Sequence, residues 1–221
     1  MNAQANAQSI VAEGGLSDWI APERTGLLII DMQVDFASPD GLLGRSGMDM
    51  SIVEPALAAA ERLAWRARAA GAPVIFVGLK TRADLDSRYW AERVLRQGGD
   101  GGVGICREDD AGSDFYGPLP LDGELIVPKI RYSGFFGTVL DAALKARGID
   151  TLVVCGLTTE CCVDCTVRDA FHLDYHVFVV SDACAAYETD MHDGALKNLQ
   201  ANCAILVDTD QVLAAWQGAE A

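Results

Sequence analysis

Short apolar runs alternate with longer amphipathic segments along most of this chain. The runs lie at 27–31, 73–79, 124–129, 151–156, 176–183 and 204–208, and runs that are apolar on both faces are typical of strands buried in a parallel sheet. Amphipathic segments of helical length separate them, the clearest at 51–71, 138–148, 160–173 and 191–201. This alternation predicts an α/β, doubly wound, Rossmann-like three-layer fold, in which helices cover both faces of a mainly parallel six-stranded sheet.

Two segments fall outside this alternation. Residues 1–20 are small and polar apart from Trp19, which predicts an N-terminal arm before a single domain over 21–221. Residues 80–123 are rich in charge, glycine and proline, with one short amphipathic piece at 87–97. We interpret 80–123 as an irregular insertion that could cover a pocket, and call it the insertion.

The charge of the chain excludes some partners. A formal net charge of −15 and a pI near 4.4 oppose binding to nucleic acid or to an anionic membrane surface, because such binding depends on Lys and Arg. No apolar run approaches the roughly 18 residues of a membrane span, and the N-terminus lacks the pattern of a signal peptide. We therefore expect a cytoplasmic location, where the seven cysteines would remain thiols.

Three of the predicted strands end in side chains that carry chemistry. Asp31 follows the first strand, Lys129 ends the third, and the turn "GLTTECC" at 156–162 follows the fourth. Ligands of open parallel sheets bind beyond the carboxyl ends of the strands, so this edge is the expected site. The topology brings an acid, a base and thiols together from distant parts of the chain.

Four of the seven cysteines lie within "CGLTTECCVDCT" at 155–166. A zinc site needs four ligands, but only Cys162 and Cys165 have suitable spacing, and the three histidines, His172, His176 and His192, do not complete a set. The same pair forms a C-x-x-C motif at a strand-to-helix turn, where a helix dipole lowers a thiol pKa. A redox protein is thus one open alternative, although Cys165 is expected one turn deeper in the helix.

Nucleophilic catalysis is the other interpretation of this segment. With Thr159 as N-cap, Cys162 would lie at the third or fourth helical position, where free N–H groups favour a thiolate. Asp31 could accept and return a proton, Lys129 could hold Asp31 and the thiolate by its charge, and the turn offers N–H groups to an oxyanion. Asp31 as a strand-end cap, Lys129 as a surface lysine, and the remaining cysteines as packing residues are the simpler alternatives.

The segments "LLIIDMQVDF", "VPKIRYSGFFGT" and "GLTTECCVDCTVRDA" resemble, in order and spacing, three blocks of the isochorismatase-like cysteine hydrolases. The resemblance covers roughly residues 24–210. It implies a catalytic triad of Asp31, Lys129 and Cys162. It also implies a cis peptide between Leu157 and Thr158, and an oxyanion hole formed by the N–H groups of Thr158 and Cys162.

Comparison within the family narrows the expected reaction. Isochorismatases proper lack the cysteine, and nicotinamidases usually carry an Asp and two His metal site where this chain has "KTRADLDSRYW". The stretch "KIRYSGFFGT" is most similar to ureidoacrylate amidohydrolases, with biuret and carbamoyl-amino-acid hydrolases as near relatives. The resemblance therefore implies hydrolysis of a small amide or ureido compound through a thioester, without metal or cofactor, by a homo-oligomer, either a dimer or a tetramer.

Substrate-binding residues are the least determined part of this interpretation. Aromatic side chains could wall the pocket and arginines could bind a substrate carboxylate; the candidates are Phe36, Trp90, Tyr132, Phe135, Arg82, Arg88 and Arg131. Each aromatic could equally be a core residue, and a solvated surface charge is the simpler interpretation of any single arginine. A third possibility is a protein of the same fold that binds a ligand without turning it over. Labelling with iodoacetamide distinguishes the two, because a poised nucleophile predicts one cysteine that reacts much faster than the others.

Overall fold

The computed structural model describes residues 15–96, 98 and 104–217. Six strands form one sheet: β1 Thr25–Ile30, β2 Val74–Leu79, β3 Leu125–Lys129, β4 Thr151–Leu157, β5 His176–Ala185 and β6 Ile205–Val207. Their order is β3-β2-β1-β4-β5-β6, and all five pairings are parallel. The predicted doubly wound fold is confirmed, and each strand lies within two residues of its predicted ends.

The helices pack on both faces of this sheet. In chain order they are α1 Gly15–Trp19, α2 Val34–Ala37, α3 Leu42–Arg45, α4 Glu54–Ala70, α5 Arg88–Arg96, α6 Leu140–Lys145, α7 Asp164–His172, α8 Thr189–Asn202 and α9 Thr209–Ala215. Every residue of β1, β2 and β4 is buried, because a central parallel strand is covered on both sides. No helix in the described ranges has both the length and the apolar composition needed to cross a membrane.

Strand register decides where the functional side chains emerge. Ile30, the last residue of β1, pairs with Val77 of β2 and Gly156 of β4, so Asp31 emerges between those two neighbours. Leu79 pairs with Lys129 at the ends of β2 and β3. The strand order reverses between β1 and β4, and the crevice at that point is where such folds bind ligands.

Gly156 allows β1 and β4 to approach closely at this edge. Its φ is +141°, and a Cβ at this position would collide with the carbonyl oxygen and side chain of Ile30. Only glycine tolerates both the backbone angle and the contact. The strand that precedes the cysteine turn is therefore fixed directly beside the strand that precedes Asp31.

The N-terminal part of the chain is more ordered than the sequence suggested. Residues 1–14 of the predicted arm lie outside the described residues, but 15–19 form α1. The Trp216 indole N–H donates to the Ile20 carbonyl at 2.7 Å, and the Trp19 ring contacts His176 edge-on at 5.3 Å. The folded body thus begins before residue 21, because two tryptophans anchor this short helix.

The described part of the insertion contains two short helical pieces, and one of its two isolated bridges joins it to the sheet edge. Its amphipathic piece forms α5, and Ala111–Ser113 form a short 3₁₀ turn. Isolated bridges link Thr81 with Arg107 and Gln33 with Phe115. The second bridge attaches the insertion to the segment directly after β1.

Candidate active site

Asp31 lies at the carboxyl end of β1 and is fully buried. Its φ is +50°, a left-handed conformation that is uncommon for residues other than glycine and is often found at functional sites. Its N–H donates to the Val77 carbonyl at 2.8 Å, and its Oδ1 accepts from the Leu79 N–H at 2.9 Å. The carboxylate is thereby fixed between β1 and β2, with Oδ2 available to a second partner.

Lys129 supplies that second partner. Its Nζ donates to Asp31 Oδ2 at 2.6 Å, to the Arg131 carbonyl at 3.1 Å and to Cys162 Sγ at 3.4 Å, which uses all three donors of the ammonium group. Burial lowers the pKa of Lys129, but the Asp31 carboxylate and the Cys162 sulfur more than offset this and raise it. The lysine therefore stays charged, and the simpler alternative of a surface lysine is wrong.

Cys162 lies in a π-helical turn, Thr159–Val163, that joins β4 to α7. Thr158 rather than Thr159 is the N-cap, and its carbonyl accepts from the N–H groups of Cys161 at 3.1 Å and Val163 at 3.2 Å. The N–H of Cys162 lies between these two and is not bonded to that carbonyl. The peptide bond between Leu157 and Thr158 is cis, as the resemblance implied.

The surroundings of the two adjacent thiols, Cys161 and Cys162, act on their pKa values in opposite directions. The Cys161 side chain, burial and the Asp31 carboxylate raise the pKa of Cys162, while Lys129 lowers it, and the net direction is upward. A hydrogen bond with Cys162 lowers the pKa of Cys161 despite partial burial. Burial beside a carboxylate thus favours the protonated thiol at Cys162 in the resting site, and the poised thiolate stays a prediction.

The other cysteines are placed as packing residues. Burial raises the pKa of Cys106, Cys155, Cys165 and Cys184. All seven cysteines are free thiols, and Cys165 lies within α7, deeper than the turn that holds Cys162. The arrangement gives the C-x-x-C motif no paired, exposed sulfurs.

Gln33 is a buried site residue that sequence reasoning missed. Its Nε2 donates to the carbonyls of Leu79 at 2.9 Å and Ser113 at 2.7 Å, and its Oε1 accepts from the Leu79 N–H at 2.8 Å. Gln33 thus ties the end of β2 to the insertion, directly beside Asp31. A glutamine two residues after the acid was the only signal in the sequence.

Glu160 is a second missed residue, and it lies in the cysteine turn itself. One carboxylate oxygen accepts from the Thr158 hydroxyl at 2.9 Å, and the other is buried without a partner among the described residues. Thr159, next to it, shares a hydrogen bond of 2.8 Å with His192 Nδ1. The turn that follows β4 is thus held by side chains on both sides of Glu160.

Three of the predicted substrate-binding residues lie together. The rings of Trp90 and Tyr132 are 5.1 Å apart, and the Arg131 guanidinium lies 5.2 Å from the Trp90 ring. Arg93, which sequence reasoning missed, lies 5.7 Å from the Trp90 ring and 5.5 Å from the Tyr132 ring. We call Trp90, Arg93, Arg131 and Tyr132 the arginine–aromatic cluster.

The remaining candidates have other surroundings. Phe135 is buried and packs against Tyr175 at 5.7 Å, which fits the alternative of a core aromatic. Phe36 is half-buried, and its carbonyl accepts from the Tyr187 hydroxyl.

Two arginine candidates are neutralised by acids at the surface. Arg82 pairs with Asp84 and Glu108 in a cleft of about 510 Å³ whose lining includes none of Asp31, Lys129 and Cys162. Arg88 pairs with Glu92 within α5. Nothing in these contacts directs either guanidinium to the catalytic edge.

The described residues contain no group of three or more His, Cys, Asp or Glu side chains arranged to hold a metal ion. The site consists instead of a buried carboxylate, a buried ammonium and a buried thiol in mutual contact through Lys129. Such a set can hold a proton on either the acid or the sulfur while its total charge stays balanced.

The chain is similar to known proteins in sequence and in fold. Residues 25–211 match the sequence model of the isochorismatase domain. The ureidoacrylate amidohydrolase of Methylobacterium radiotolerans is 35% identical over 193 residues, which cover 81% of this chain and 74% of that protein.

Two solved structures show the same fold. A cysteine hydrolase from Pseudomonas syringae pv. phaseolicola superposes with a TM-score of 0.80 at 28% identity, covering 91% of this chain and 96% of the other. N-carbamoylsarcosine amidase from Thermoplasma acidophilum superposes with a TM-score of 0.67 at 27% identity, covering 85% and 97% of the two chains.

Proposed function

The chain belongs to the isochorismatase family of hydrolases, and from that premise we propose that it is a cysteine amidohydrolase. The reaction is hydrolysis of a C–N bond in a small amide or ureido compound, through a thioester and without a metal ion. The observation that carries the proposal is the fully buried contact of Lys129 with both Asp31 and Cys162. The names of two similar proteins, an amidohydrolase and an amidase, support the C–N bond as the one that is cleaved.

In the proposed first half-reaction, Cys162 Sγ attacks the substrate carbonyl carbon as Asp31 accepts the thiol proton. The raised pKa of Cys162 means that this proton is still present when the substrate binds, so attack and proton transfer are coupled. Negative charge develops on the carbonyl oxygen, where the N–H groups of Thr158 and Cys162 would stabilise it. Asp31 then gives the proton to the departing amine or ammonia, which leaves a thioester on Cys162.

In the second half-reaction, water replaces the amine. Asp31 accepts a proton from the water as its oxygen attacks the thioester carbonyl, and the proton returns to Cys162 Sγ as the C–S bond breaks. Lys129 keeps its positive charge throughout. It thereby stabilises whichever of its two neighbours is negative at each step.

A panel of small amides tests the proposal by release of ammonia. Ureidoacrylate analogues, biuret, carbamoyl amino acids, nicotinamide and simple aliphatic amides are each given to the wild type and to Cys162→Ala, after treatment with a chelator. We expect turnover that resists the chelator and is lost in Cys162→Ala. Cys165→Ser is the matched control and should retain activity, because Cys165 lies in α7 outside the contact set.

Two outcomes would replace the proposal. Equal loss in Cys162→Ala and Cys165→Ser, together with a reversible disulfide detected by mass, would favour the C-x-x-C redox alternative. A folded protein that binds members of the panel but releases no ammonia from any would favour a ligand-binding member of the fold.

A further inference from the structure

The side chain of Gln33 continues the hydrogen-bond ladder of the sheet beyond the end of β1. The register of β1 with β2 ends at the pair Ile30 and Val77, and the left-handed φ of +50° at Asp31 then turns the chain. Leu79 lies two residues beyond that last pair. The Gln33 amide pairs with it, because Oε1 accepts from the Leu79 N–H at 2.8 Å and Nε2 donates to the Leu79 carbonyl at 2.9 Å. One side chain thus satisfies both main-chain groups at the end of β2.

The Leu79 N–H is shared between this amide and the catalytic acid. Asp31 Oδ1 accepts from it at 2.9 Å, beside Gln33 Oε1 at 2.8 Å. On its other side Leu79 pairs with Lys129, and the next N–H, that of Lys80, donates to the Lys129 carbonyl at 2.8 Å. The Leu79 peptide therefore lies between the strand ends that carry the acid and the lysine, and its position affects the placement of both.

The second N–H of the same amide reaches the insertion. Gln33 Nε2 also donates to the Ser113 carbonyl at 2.7 Å, and the main chain of Gln33 forms the isolated bridge with Phe115. The side chain is fully buried, and its bonds use both N–H groups and the oxygen, which holds the amide in one orientation. Gln33 therefore joins the insertion to the peptide that donates to Asp31.

Gly78 makes room on β2 for this connection. A Cβ added at Gly78 would lie 3.3 Å from Gln33 Nε2 and 3.1 Å from the Phe115 ring, closer than the roughly 3.5–4.0 Å of an ordinary van der Waals contact. A glycine inside a strand often marks such a close approach. The sequence of β2 is thus fitted to both the amide and the insertion.

We propose that Gln33 is a positioning residue for the hydrolytic reaction, and that it couples the placement of the insertion to that of the Asp31 carboxylate. The inference rests on the proposed function, in which Asp31 carries the proton between Cys162 and the leaving group. The hydrogen bonds of the Gln33 side chain go to main-chain groups, so it acts through Leu79 and not on the substrate. A misplacement of about 1 Å at a reacting group can cost on the order of 100-fold in rate, so a small shift of Leu79 is sufficient to lower kcat.

The first test separates kcat from KM in Gln33→Met, which removes the side-chain hydrogen bonds and keeps the length of the side chain. The substrate is an amide of the panel that the wild type hydrolyses, and the temperature is well below the unfolding transition. We expect kcat to fall about 10- to 100-fold while KM changes less than about twofold, because the acid is misplaced and the substrate contacts are not altered. A rise in KM at unchanged kcat would mean that Gln33 acts on substrate binding, and would overturn the proposal.

A double-mutant cycle tests whether the insertion acts through Gln33. A Cβ at Gly112 would collide with the Asp35 carboxylate, so Gly112→Ala should displace the neighbouring Ser113 carbonyl and lower kcat about 3- to 10-fold. In the Gln33→Met background the same substitution should change kcat less than about twofold, because the connection is already lost. Gly104→Ala, whose Cβ would meet nothing within 4 Å, is the matched control and should leave kcat unchanged in both backgrounds. If the effects of Gln33→Met and Gly112→Ala simply multiply, the insertion does not act through Gln33.

Hydrogen exchange at the Leu79 amide separates this inference from the proposed function, since NMR measures it on the resting protein without substrate. In Gln33→Met the Leu79 N–H keeps only the Asp31 acceptor and should exchange at least about tenfold faster, while the Val77 amide in the middle of β2 keeps its wild-type rate. That result would support the connection through Gln33 even if the wild type hydrolysed no amide of the panel. An unchanged rate at Leu79, or an equal acceleration at Leu79 and Val77, would contradict the positioning role and leave the amidohydrolase proposal intact.

Discussion

Lys129 balances two buried groups, and its removal should cost stability as well as activity. Its side chain and that of Asp31 have no exposure to solvent. Lys129→Met would leave the Asp31 carboxylate buried without a counterion, which typically costs about 3–5 kcal/mol. We expect the free energy of unfolding in urea to fall by about that amount and amide hydrolysis to be lost.

A double variant separates lost charge balance from lost packing. Asp31→Asn combined with Lys129→Met removes both charges, so the free energy of unfolding should be higher than in Lys129→Met alone. If the losses of unfolding free energy in Asp31→Asn alone and in Lys129→Met alone instead add up in the double variant, the two residues do not act as a coupled pair. Activity should remain absent, because the proposed proton carrier is also gone.

The two adjacent cysteines should react with iodoacetamide in the opposite order to their proposed catalytic importance. Cys161 is half-buried with a lowered pKa, whereas Cys162 is buried with a raised one. The thiolate is the reactive form, so at neutral pH Cys161 should be alkylated first. Labelling of Cys162 should keep increasing as the pH rises past 9, because its thiol loses the proton only above its ordinary pKa.

Peptide mass spectrometry of the alkylated protein measures both rates. In Cys161→Ser the fast phase of alkylation should disappear while amide hydrolysis persists. In Cys162→Ser the fast phase of alkylation should remain. Faster labelling of Cys162 than of Cys161 at neutral pH would mean that Lys129 lowers the pKa of Cys162 by more than burial raises it. It would restore the poised thiolate expected from the helix end.

Sequence reasoning reached residues whose positions follow from strand ends and missed those defined by contacts. Asp31 and Lys129 each end a predicted strand, so topology alone placed them at one edge. Gln33 donates a hydrogen bond to the Ser113 carbonyl, and Arg93 lies over the Tyr132 ring, and both partners are far away along the chain. No periodicity or spacing reports such contacts, and they become visible only once the insertion is placed.

The insertion is fastened to the sheet edge at a buried carboxylate. Asp35 accepts from the Leu42 N–H at 2.9 Å and from the Cys106 N–H at 2.6 Å. A Cβ added at Gly112 would collide with this carboxylate. Gly112→Ala should therefore break the Asp35 contacts and lower the free energy of unfolding by about 1–3 kcal/mol, the usual cost of overpacking.

Gly104→Ala is the matched control for this prediction. It lies in the same insertion, and a Cβ there would meet nothing within 4 Å. Urea unfolding should therefore separate Gly112→Ala clearly from both Gly104→Ala and the wild type. If the two variants have equal stability, the Asp35 carboxylate can move at little cost and does not fasten the insertion.

Helices and strands were predicted well where the hydrophobic periodicity is strong, and poorly where packing against distant residues determines the local structure. The strands and the longer helices have clear apolar patterns. The short helix Gly15–Trp19 has none of its own and depends on contacts with distant residues such as His176. The π turn at Thr159–Val163 was expected as the start of an ordinary helix, since its sequence does not distinguish the two.

At the scale of the whole molecule, sheet order explains how residues far apart in sequence form one site. Lys129 and Asp31 are separated by 98 positions, yet each lies at a carboxyl strand end on the same side of the reversal in strand order. The alternation of strands and helices was sufficient to predict this juxtaposition. The expected assembly into dimers or tetramers stays a prediction, because it depends on exposed faces rather than on the sheet.

The net charge of the chain should make turnover of a carboxylate substrate depend on salt. The charge of −15 repels an anion at long range, whereas hydrogen-bond donors in the site would act only at contact. The Debye length falls from about 30 Å at 0.01 M salt to about 10 Å at 0.1 M, so added salt screens the distant charges more than the contacting ones. We expect kcat/KM for N-carbamoyl-β-alanine, one of the carbamoyl amino acids of the panel, to rise about two- to tenfold over this range.

N-propylurea, an uncharged ureide of similar length, is the control, because a neutral substrate should show no comparable dependence on salt. A decrease of wild-type kcat/KM with salt would mean that positive charge close to the site dominates the field at the entrance. The charge of the whole chain would then have no kinetic consequence for this substrate class.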